Sequence, residues 1–566
     1  MNIFSAIKNL MGKPEQPQPE QKRLPKSLVS EYRQNFQQYE SFHSLHKKHQ
    51  QDALKSLQEK NIGQISIPTG CGKTRIQVDV HISDMIQKTK ENKTGVYVIG
   101  AHRLALCSQL LHDIVEVAIP CGLNFDILYV GSERFNNDTI RTNLRNSGNL
   151  DDNLRAFDEK ISNGKNTTKQ DEVLDFVNNA KNNNRHVIAV ATYHSFHKLS
   201  LLSRIDICTY DEAHITLGDD FTDNINRVKP LIQKNFFFTA TRKVIGSSSG
   251  MNDFQAYGEI LYSISPRKMI EEGEIVAPRL HTIRLSDDAE DGNYDNTKML
   301  LKTIMDAFTQ HRNKIKEYSA NPDLIGAKLL ISCSGSDEVK EINNSQTLKD
   351  WCERNNIKMF SFASNADIGY KYNFQPISRS DLFSRMDMLS DQEDAILIHI
   401  DILTEGIDLP SITGVMPLRN LNQSKLVQTI GRATRLLKLD RKALLEKTIL
   451  PHESEKFVKP YCWFLVPQLF SSLGDYNQMK KLLREIMNTY EVHPEEFSNA
   501  DRFIAEPDLV LSKVTNDDAV NRREKECDLA HLFEEIFVED WKDQISKLTE
   551  EERYNLIEKN LLEYNA

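Results

Sequence analysis

One short segment restricts the fold more than any other. Pro68-Thr69-Gly70-Cys71-Gly72-Lys73-Thr74 follows an apolar run, QISI, and precedes a helix-compatible stretch. A strand that turns through glycines into a helix N-terminus aims backbone N–H groups and the helix dipole at a single point, which suits phosphate oxygens. In that setting Lys73 would hold the β- and γ-phosphates of a nucleotide, and the Thr74 hydroxyl would coordinate Mg²⁺. Thr69, Gly70, Cys71 and Gly72 would line the rest of the cradle. The general phosphate-loop pattern asks for glycine five residues before Gly72, and this chain has Ile67 there.

The surrounding pattern is α/β. From about Leu45 to Tyr262, apolar runs (GQISIP, GVYVIGA, HVIAVATY, RIDICTYD, KNFFFTAT) alternate with helical or irregular stretches. Such runs are expected of parallel strands buried on both faces. A polar segment at 133–185 interrupts them and reads as an exposed helical or mobile excursion. A second set of runs (AKLLISCS, KMFSFAS, DAILIHID, ITGVMPL) lies within 291–450. The expected organisation is an N-terminal extension at 1–44 with a Pro/Gln-rich linker, a first lobe at 45–262, a connector at 263–290, a second lobe at 291–450, and an acidic, mostly helical region at 451–566.

Asp211-Glu212-Ala213-His214 follows the run RIDICTY. Carboxylates at the C-terminal end of a buried strand stand where α/β sheets bind ligands. Asp211 would hold Mg²⁺, usually through water, and Glu212 would orient and deprotonate an attacking water. In the second lobe, Gln428-Thr429-Ile430-Gly431-Arg432-Ala433-Thr434-Arg435 places two guanidinium groups one helical turn apart.

Together these residues resemble the superfamily 2 helicases and translocases of the DEAH type. PTGCGKT is similar to motif I, DEAH to motif II and QTIGRATR to motif VI. Thr404-Glu405-Gly406-Ile407-Asp408-Leu409-Pro410 is similar to motif V. Smaller matches fall in the family's order: Gln50 at the adenine-reading glutamine, although KKHQ stands where RPYQ is common, His102-Arg103 with Gln109 at motif Ia, Thr192-Tyr193-His194-Ser195 at motif Ib, and Thr239-Ala240-Thr241-Arg242 at motif III. Ser332 and Ser334 match motif IV only loosely. The resemblance covers about residues 45–440.

It implies two tandem RecA-like parallel-sheet lobes, with ATP and Mg²⁺ held between them. Arg432 and Arg435 would act as arginine fingers. Gly406 and Asp408 would help bind the nucleotide, and Thr404, Thr239 and Thr241 would couple nucleotide state to grip. Arg103 and Thr192 would meet nucleic-acid phosphates. The set is more like the DNA-directed branch, which includes the motor subunits of type I and type III restriction enzymes and related repair translocases. The implied activity is that of a nucleic-acid-stimulated ATPase, a helicase or translocase that grips the backbone with little base readout. DNA is favoured over RNA. An RNA remodelling helicase and an ATPase switch within a restriction or defence complex are the alternatives.

Charge does not contradict this. The net charge is −10, but residues 452–566 hold 25 acidic and 14 basic residues, leaving +1 for residues 1–451. A motor needs a positive field inside its groove, not a positive total. The acidic C-terminal region suits a protein partner better than a phosphate backbone. Eight scattered cysteines form no CxxC pair, so neither a cysteine zinc cluster nor a disulfide framework is indicated. No run approaches the ~18 apolar residues of a membrane span. A cytoplasmic protein is expected.

Overall fold

The computed structural model describes residues 37–102, 104–131, 164–217, 219–240, 242–245, 249–283, 296–333, 335–363, 368–400, 411–418, 429–467, 486 and 489–490. They form two compact units that divide between Ile264 and Ser265. Each is built on an eight-stranded sheet.

In the first unit the strands are β1 (Ile62–Ser66), β2 (Val96–Ala101), β3 (Phe125–Val130), β4 (Lys165–Thr167), β5 (His186–Thr192), β6 (Ile205–Tyr210), β7 (Ile232–Thr239) and β8 (Ile260–Ser263). Their spatial order is β8-β1-β7-β6-β2-β5-β3-β4, and every pairing is parallel. β2 and β6 are buried at all six positions. That burial is why they read as unbroken apolar runs rather than as alternating ones. Helices Lys73–Lys90, Leu104–Ala118 and Gln170–Asn182 provide crossovers between parallel strands.

The helix Gln170–Asn182 corrects the reading of 133–185 as an excursion. Val173, Val177 and Ala180 recur at helical spacing and are buried in the first-lobe core, and β4 pairs with β3. Residues 164–185 are therefore part of the lobe, while 132–163 lie outside the described residues. A helix at Gln37–Ser44 also precedes the expected start of the lobe, with Phe42 buried.

The second unit contains β9 (Ala277–Ile283), β10 (Lys328–Ser332), β11 (Lys358–Ala363), β12 (Tyr370–Tyr372), β13 (Gln375–Ile377), β14 (Ala395–Ile400), β15 (Gly414–Pro417) and β16 (Tyr461–Pro467). Their order is β9-β16-β15-β10-β14-β11-β12-β13. The first six are parallel and an antiparallel hairpin closes the far edge. Two boundaries shift. β9 falls in the expected connector and β16 in the expected acidic helical region, yet both belong to this sheet. Trp463, 2% exposed, packs in the core with Ile283, Phe308 and Leu465. Two parallel-sheet lobes of RecA-like type are thus present. Among the described residues, no helix is long and apolar enough to cross a membrane.

Candidate functional site

β1, β7 and β6 are parallel neighbours, so the segments after their C-terminal ends emerge along one edge of the first sheet. Those segments are the glycine-containing loop, the Thr239-Ala240 turn and the Asp211-Glu212 turn. Ile67 N–H donates to Thr239 O at 3.0 Å, which continues the β1–β7 pairing into the loop. Gly70 and Gly72 both have φ of +84°, in the left-handed region that favours glycine. Gly72 is also the N-cap of the 18-residue helix Lys73–Lys90, which carries no side-chain cap. Its leading end is thus left for another acceptor. Lys73 is 8% exposed, and its Nζ donates to Ile67 O at 3.1 Å. The Thr69 hydroxyl is buried and has no hydrogen-bond partner among the described residues.

The helix Lys48–Leu57 supports this loop from outside. His49 Nε2 donates to Cys71 O at 2.9 Å, and Gln50 Nε2 lies 3.5 Å from Gly72 O. Gln50 Oε1 accepts the Lys47 N–H at 3.0 Å. A Cβ on Gly72 would stand 2.2 Å from Gln50 Nε2 and displace that amide, in addition to the strain its left-handed φ would impose. Gln50 is therefore seated on the phosphate loop with both ends of its amide engaged.

At the end of β6, Asp211 is 7% exposed. Its N–H donates to Gly100 O, Tyr193 OH donates to its carbonyl, and Gln77 Nε2 donates to its Oδ1 at 2.9 Å. Burial, with the Glu212 charge adding to it, raises the Asp211 pKa above the ordinary carboxylate value, while Lys73 and the Gln77 bond pull the other way. Glu212 adopts φ of +49°, and its Oε2 is buried without a hydrogen-bond partner among the described residues. His214 Nδ1 is hydrogen-bonded to Thr239 Oγ1 at 3.0 Å and lies 3.5 Å from Glu212 Oε2. Burial, with help from the Lys73 and Lys243 charges, lowers the His214 pKa to about 4, so the ring is neutral.

The residues present fit a nucleotide and its metal. Among the described residues Lys73 donates only to a backbone carbonyl, a buried carboxylate oxygen and a buried hydroxyl have no partner, and Asp211 keeps Oδ2 beyond the Gln77 bond. Sequence reasoning missed Gln77, the bond from Tyr193 to Asp211 and the His214–Thr239 bond. Gln77 had a signal, because it lies four residues past Lys73 and so shares its helix face. The other two contacts join segments distant in sequence and had none. Arg242 is drawn elsewhere, donating to Gln64 Oε1 at 2.8 Å and Met251 O at 3.0 Å.

Thr192 ends β5 and pairs in register with Ala101 at the end of β2, on the same edge of the sheet. Arg103, Thr241, Thr404, Gly406 and Asp408 lie outside the described residues.

In the second lobe Thr429–Ala433 are helical, Arg432 is 8% exposed and Arg435 is partly buried. The segment is fixed from two sides. Arg435 bridges Ile275, and Val276 N–H donates to Thr434 O at 2.8 Å. Lys459, 1% exposed, donates through Nζ to Ala433 O at 2.5 Å and Arg435 O at 2.6 Å. Ser332, the loose motif IV match, is buried against His399 Nε2 at 2.7 Å.

Residues 43–244 match the family described as type III restriction enzyme, res subunit. Among solved structures, the chain is similar to an ATP-dependent type ISP restriction-modification enzyme, LlaBIII, bound to DNA. The TM-score is 0.56 at 15% identity, over 91% of this chain and 35% of that one. It is also similar to a nuclease-deletion mutant of the type ISP enzyme LlaGI in complex with a DNA substrate mimic. That TM-score is 0.50 at 16% identity, over 92% of this chain and 34% of that one. The chain spans about a third of the length of these two enzymes. No curated relative matches. The likeness to these two structures is one of fold.

Proposed function

We propose that this chain is a nucleic-acid-stimulated ATPase that translocates on DNA or unwinds it, gripping the backbone with little sequence readout. The observation that carries the reading is the convergence of Lys73, Asp211, Glu212 and Thr239 on one edge of the first sheet, beside a glycine loop and an uncapped helix end. In this proposal Lys73 leaves Ile67 O for the β- and γ-phosphates, and Thr69 to Thr74 line the cradle. Gln50 reads adenine, which requires its amide to turn from Gly72. Thr74 and Asp211 would hold Mg²⁺, which when bound neutralises phosphate charge. Glu212 accepts the proton of the attacking water, its Oε2 being free to do so. Arg432 and Arg435 answer the charge that develops on the γ-phosphate.

Arg103, Thr192, Thr404 and Thr241 complete the proposed assignment as backbone-gripping and coupling residues, with Gly406 and Asp408 helping to bind the nucleotide. DNA is favoured because both restriction enzymes above are described as bound to DNA or to a DNA mimic. A protein partner for the acidic C-terminal region and a cytoplasmic location belong to the same proposal.

The test is ATP hydrolysis measured with single-stranded DNA, duplex DNA, forked DNA and RNA. DNA is expected to stimulate turnover most. Lys73→Ala should abolish it, and Arg432→Ala should lower kcat by about 10³-fold or more. Stimulation by RNA alone would move the assignment to an RNA remodelling helicase. Hydrolysis insensitive to every nucleic acid would overturn both.

A further inference from the structure

Away from the nucleotide edge, two imidazoles and one carboxylate converge in the first lobe. Asp79, 2% exposed, lies on the helix Lys73–Lys90. His43 sits in the last turn of the helix Gln37–Ser44, and His46 follows three residues later. His43 Nδ1 is 2.7 Å from Asp79 Oδ2, and His46 Nε2 is 3.1 Å from the same oxygen. Tyr39 OH donates to the other carboxylate oxygen at 3.0 Å. One donor atom from each of His43, His46 and Asp79 falls within 4.8 Å of the others.

Hydrogen bonding accounts for only part of this cluster. His43 Nδ1 is well placed to donate to Asp79. The His46 side chain is fully buried, yet its Nε2 makes no hydrogen bond among the described residues, so the approach to Oδ2 lacks donor geometry. Its other nitrogen, Nδ1, lies 3.1 Å from Phe42 O, a carbonyl that can only accept. With Nδ1 donating there, Nε2 would present a bare lone pair to a buried carboxylate. Two such groups repel unless a cation lies near them. A ring whose one nitrogen donates to a backbone carbonyl while the other is free is the usual state of a metal-ligating histidine.

Arg75 argues the other way, since its Nε stands 3.3 Å from His46 Nδ1 and would favour a lone pair there. Its place is also set by other contacts. Nη2 donates to Phe42 O at 3.0 Å, and the guanidinium carbon lies 4.8 Å from the Phe42 ring centre. With Nδ1 accepting from Arg75, the ring proton lies on Nε2 towards Asp79, and a metal ion would displace it on binding.

We propose that His43, His46 and Asp79 bind a divalent transition-metal ion, zinc by the character of two nitrogens and one oxygen. Water completes a tetrahedral shell on the side where the His43 side chain is 49% exposed. Zinc bonds of about 2.0–2.2 Å put tetrahedral donors roughly 3.3 Å apart, so the His46–Asp79 separation already suits the ion, while His43 must move about 0.6 Å from Asp79 and the two histidine donors, within 4.8 Å of each other, must settle at that spacing. Tyr39 orients the carboxylate from behind. The ion fastens the segment at 37–46 to the helix that begins with Lys73. The proposal is independent of the nucleotide reading.

The test uses the full chain, treated with chelator, checked for folding and dialysed against Zn²⁺ in excess Mg²⁺, with Co²⁺ as an optical probe. The wild type should bind one more equivalent of zinc than His43→Ala, or bind it about 100-fold more tightly or better, since even supporting residues around a metal change affinity by 10–100-fold. Co²⁺ should give a tetrahedral visible spectrum in the wild type alone, and Zn²⁺ should raise the Tm of the wild type alone. Loss of structure on chelation that zinc reverses would support the site equally. His43 is half-exposed, so its removal spares the core. Equal zinc binding by the two proteins, or none by the folded wild type, would make the cluster a hydrogen-bonded anchor and overturn the proposal.

Discussion

At the scale of single residues, Glu212 has the most unusual setting in the first lobe. Its φ of +49° places a side chain with a Cβ in the left-handed region, and its Oε2 is buried without a hydrogen-bond partner among the described residues. Strain of this kind costs on the order of 1–3 kcal/mol and persists where the surroundings hold it for a purpose. The proposed role as base supplies that purpose. Glu212→Gln keeps the shape and removes the proton-accepting charge. Its ATPase turnover should fall about 10²–10⁴-fold, while binding of a fluorescent ATP analogue stays near the wild-type value. Glu212→Gly should be equally inactive but more stable, by about 1 kcal/mol, because glycine adopts this φ freely and no carboxylate is left buried. A Tm that falls in Glu212→Gly would mean that the side chain is a structural support and not a strained functional group.

At the scale of elements, what was legible in the sequence follows burial. β1, β2, β5, β6, β7, β10, β11, β14 and β15 all arose from apolar runs, because a parallel strand covered on both faces has no polar positions to hide it. β9 reads APRLHTI, with Pro, Arg and His interleaved, since it lies at the edge of its sheet. β16 reads YCWFLVP and is plainly apolar. It was lost among the charged residues around it, beyond the last motif, where no local signal says which sheet a strand joins. The glycine loop and the acidic turn were legible as local sequence. The bond from His214 to Thr239 was not, since it joins turns after two neighbouring strands and exists only once the sheet has formed. That bond carries a further prediction. Thr239→Val keeps the volume of a fully buried side chain but removes the hydroxyl that ties the motif III turn to the acidic turn. If the tie transmits nucleotide state, unstimulated ATPase should change less than threefold while stimulation by DNA is largely lost. A purely structural hydroxyl would instead lower Tm by the few degrees expected of about 1–2 kcal/mol, with stimulated and unstimulated rates declining in parallel.

At the scale of the whole molecule, the position of β16 changes where the acidic C-terminal region can be separated from the motor. A cut after Leu450, the expected boundary, would remove β16, which pairs with both β9 and β15 and places Trp463 in the second-lobe core. It would also remove Lys459, which holds the carbonyls of Ala433 and Arg435. Loss of Trp463 alone is worth about 3–5 kcal/mol on the scale of buried aromatic truncations, a large share of the 5–15 kcal/mol that stabilises a typical domain. Residues 1–450 should therefore not yield a folded second lobe. Ile486 and Tyr490 are also buried, so the first cut that spares the described core falls after Tyr490. Residues 491–566 hold 21 acidic and 9 basic residues, a net of −12, which leaves +2 for residues 1–490. Removing them deletes most of the charge that repels a phosphate backbone and none of the residues proposed to grip one. Residues 1–490 should fold, as judged by a cooperative thermal transition. They should bind DNA at least as tightly as the full chain, with a steeper rise in affinity as salt is lowered. Binding that disappears from a folded 1–490 protein would place the principal nucleic-acid contact in the acidic region and refute the charge argument. Binding that is unchanged at every salt concentration would show that the C-terminal charge lies too far from the groove to be felt, beyond the ~10 Å over which such fields act at moderate ionic strength.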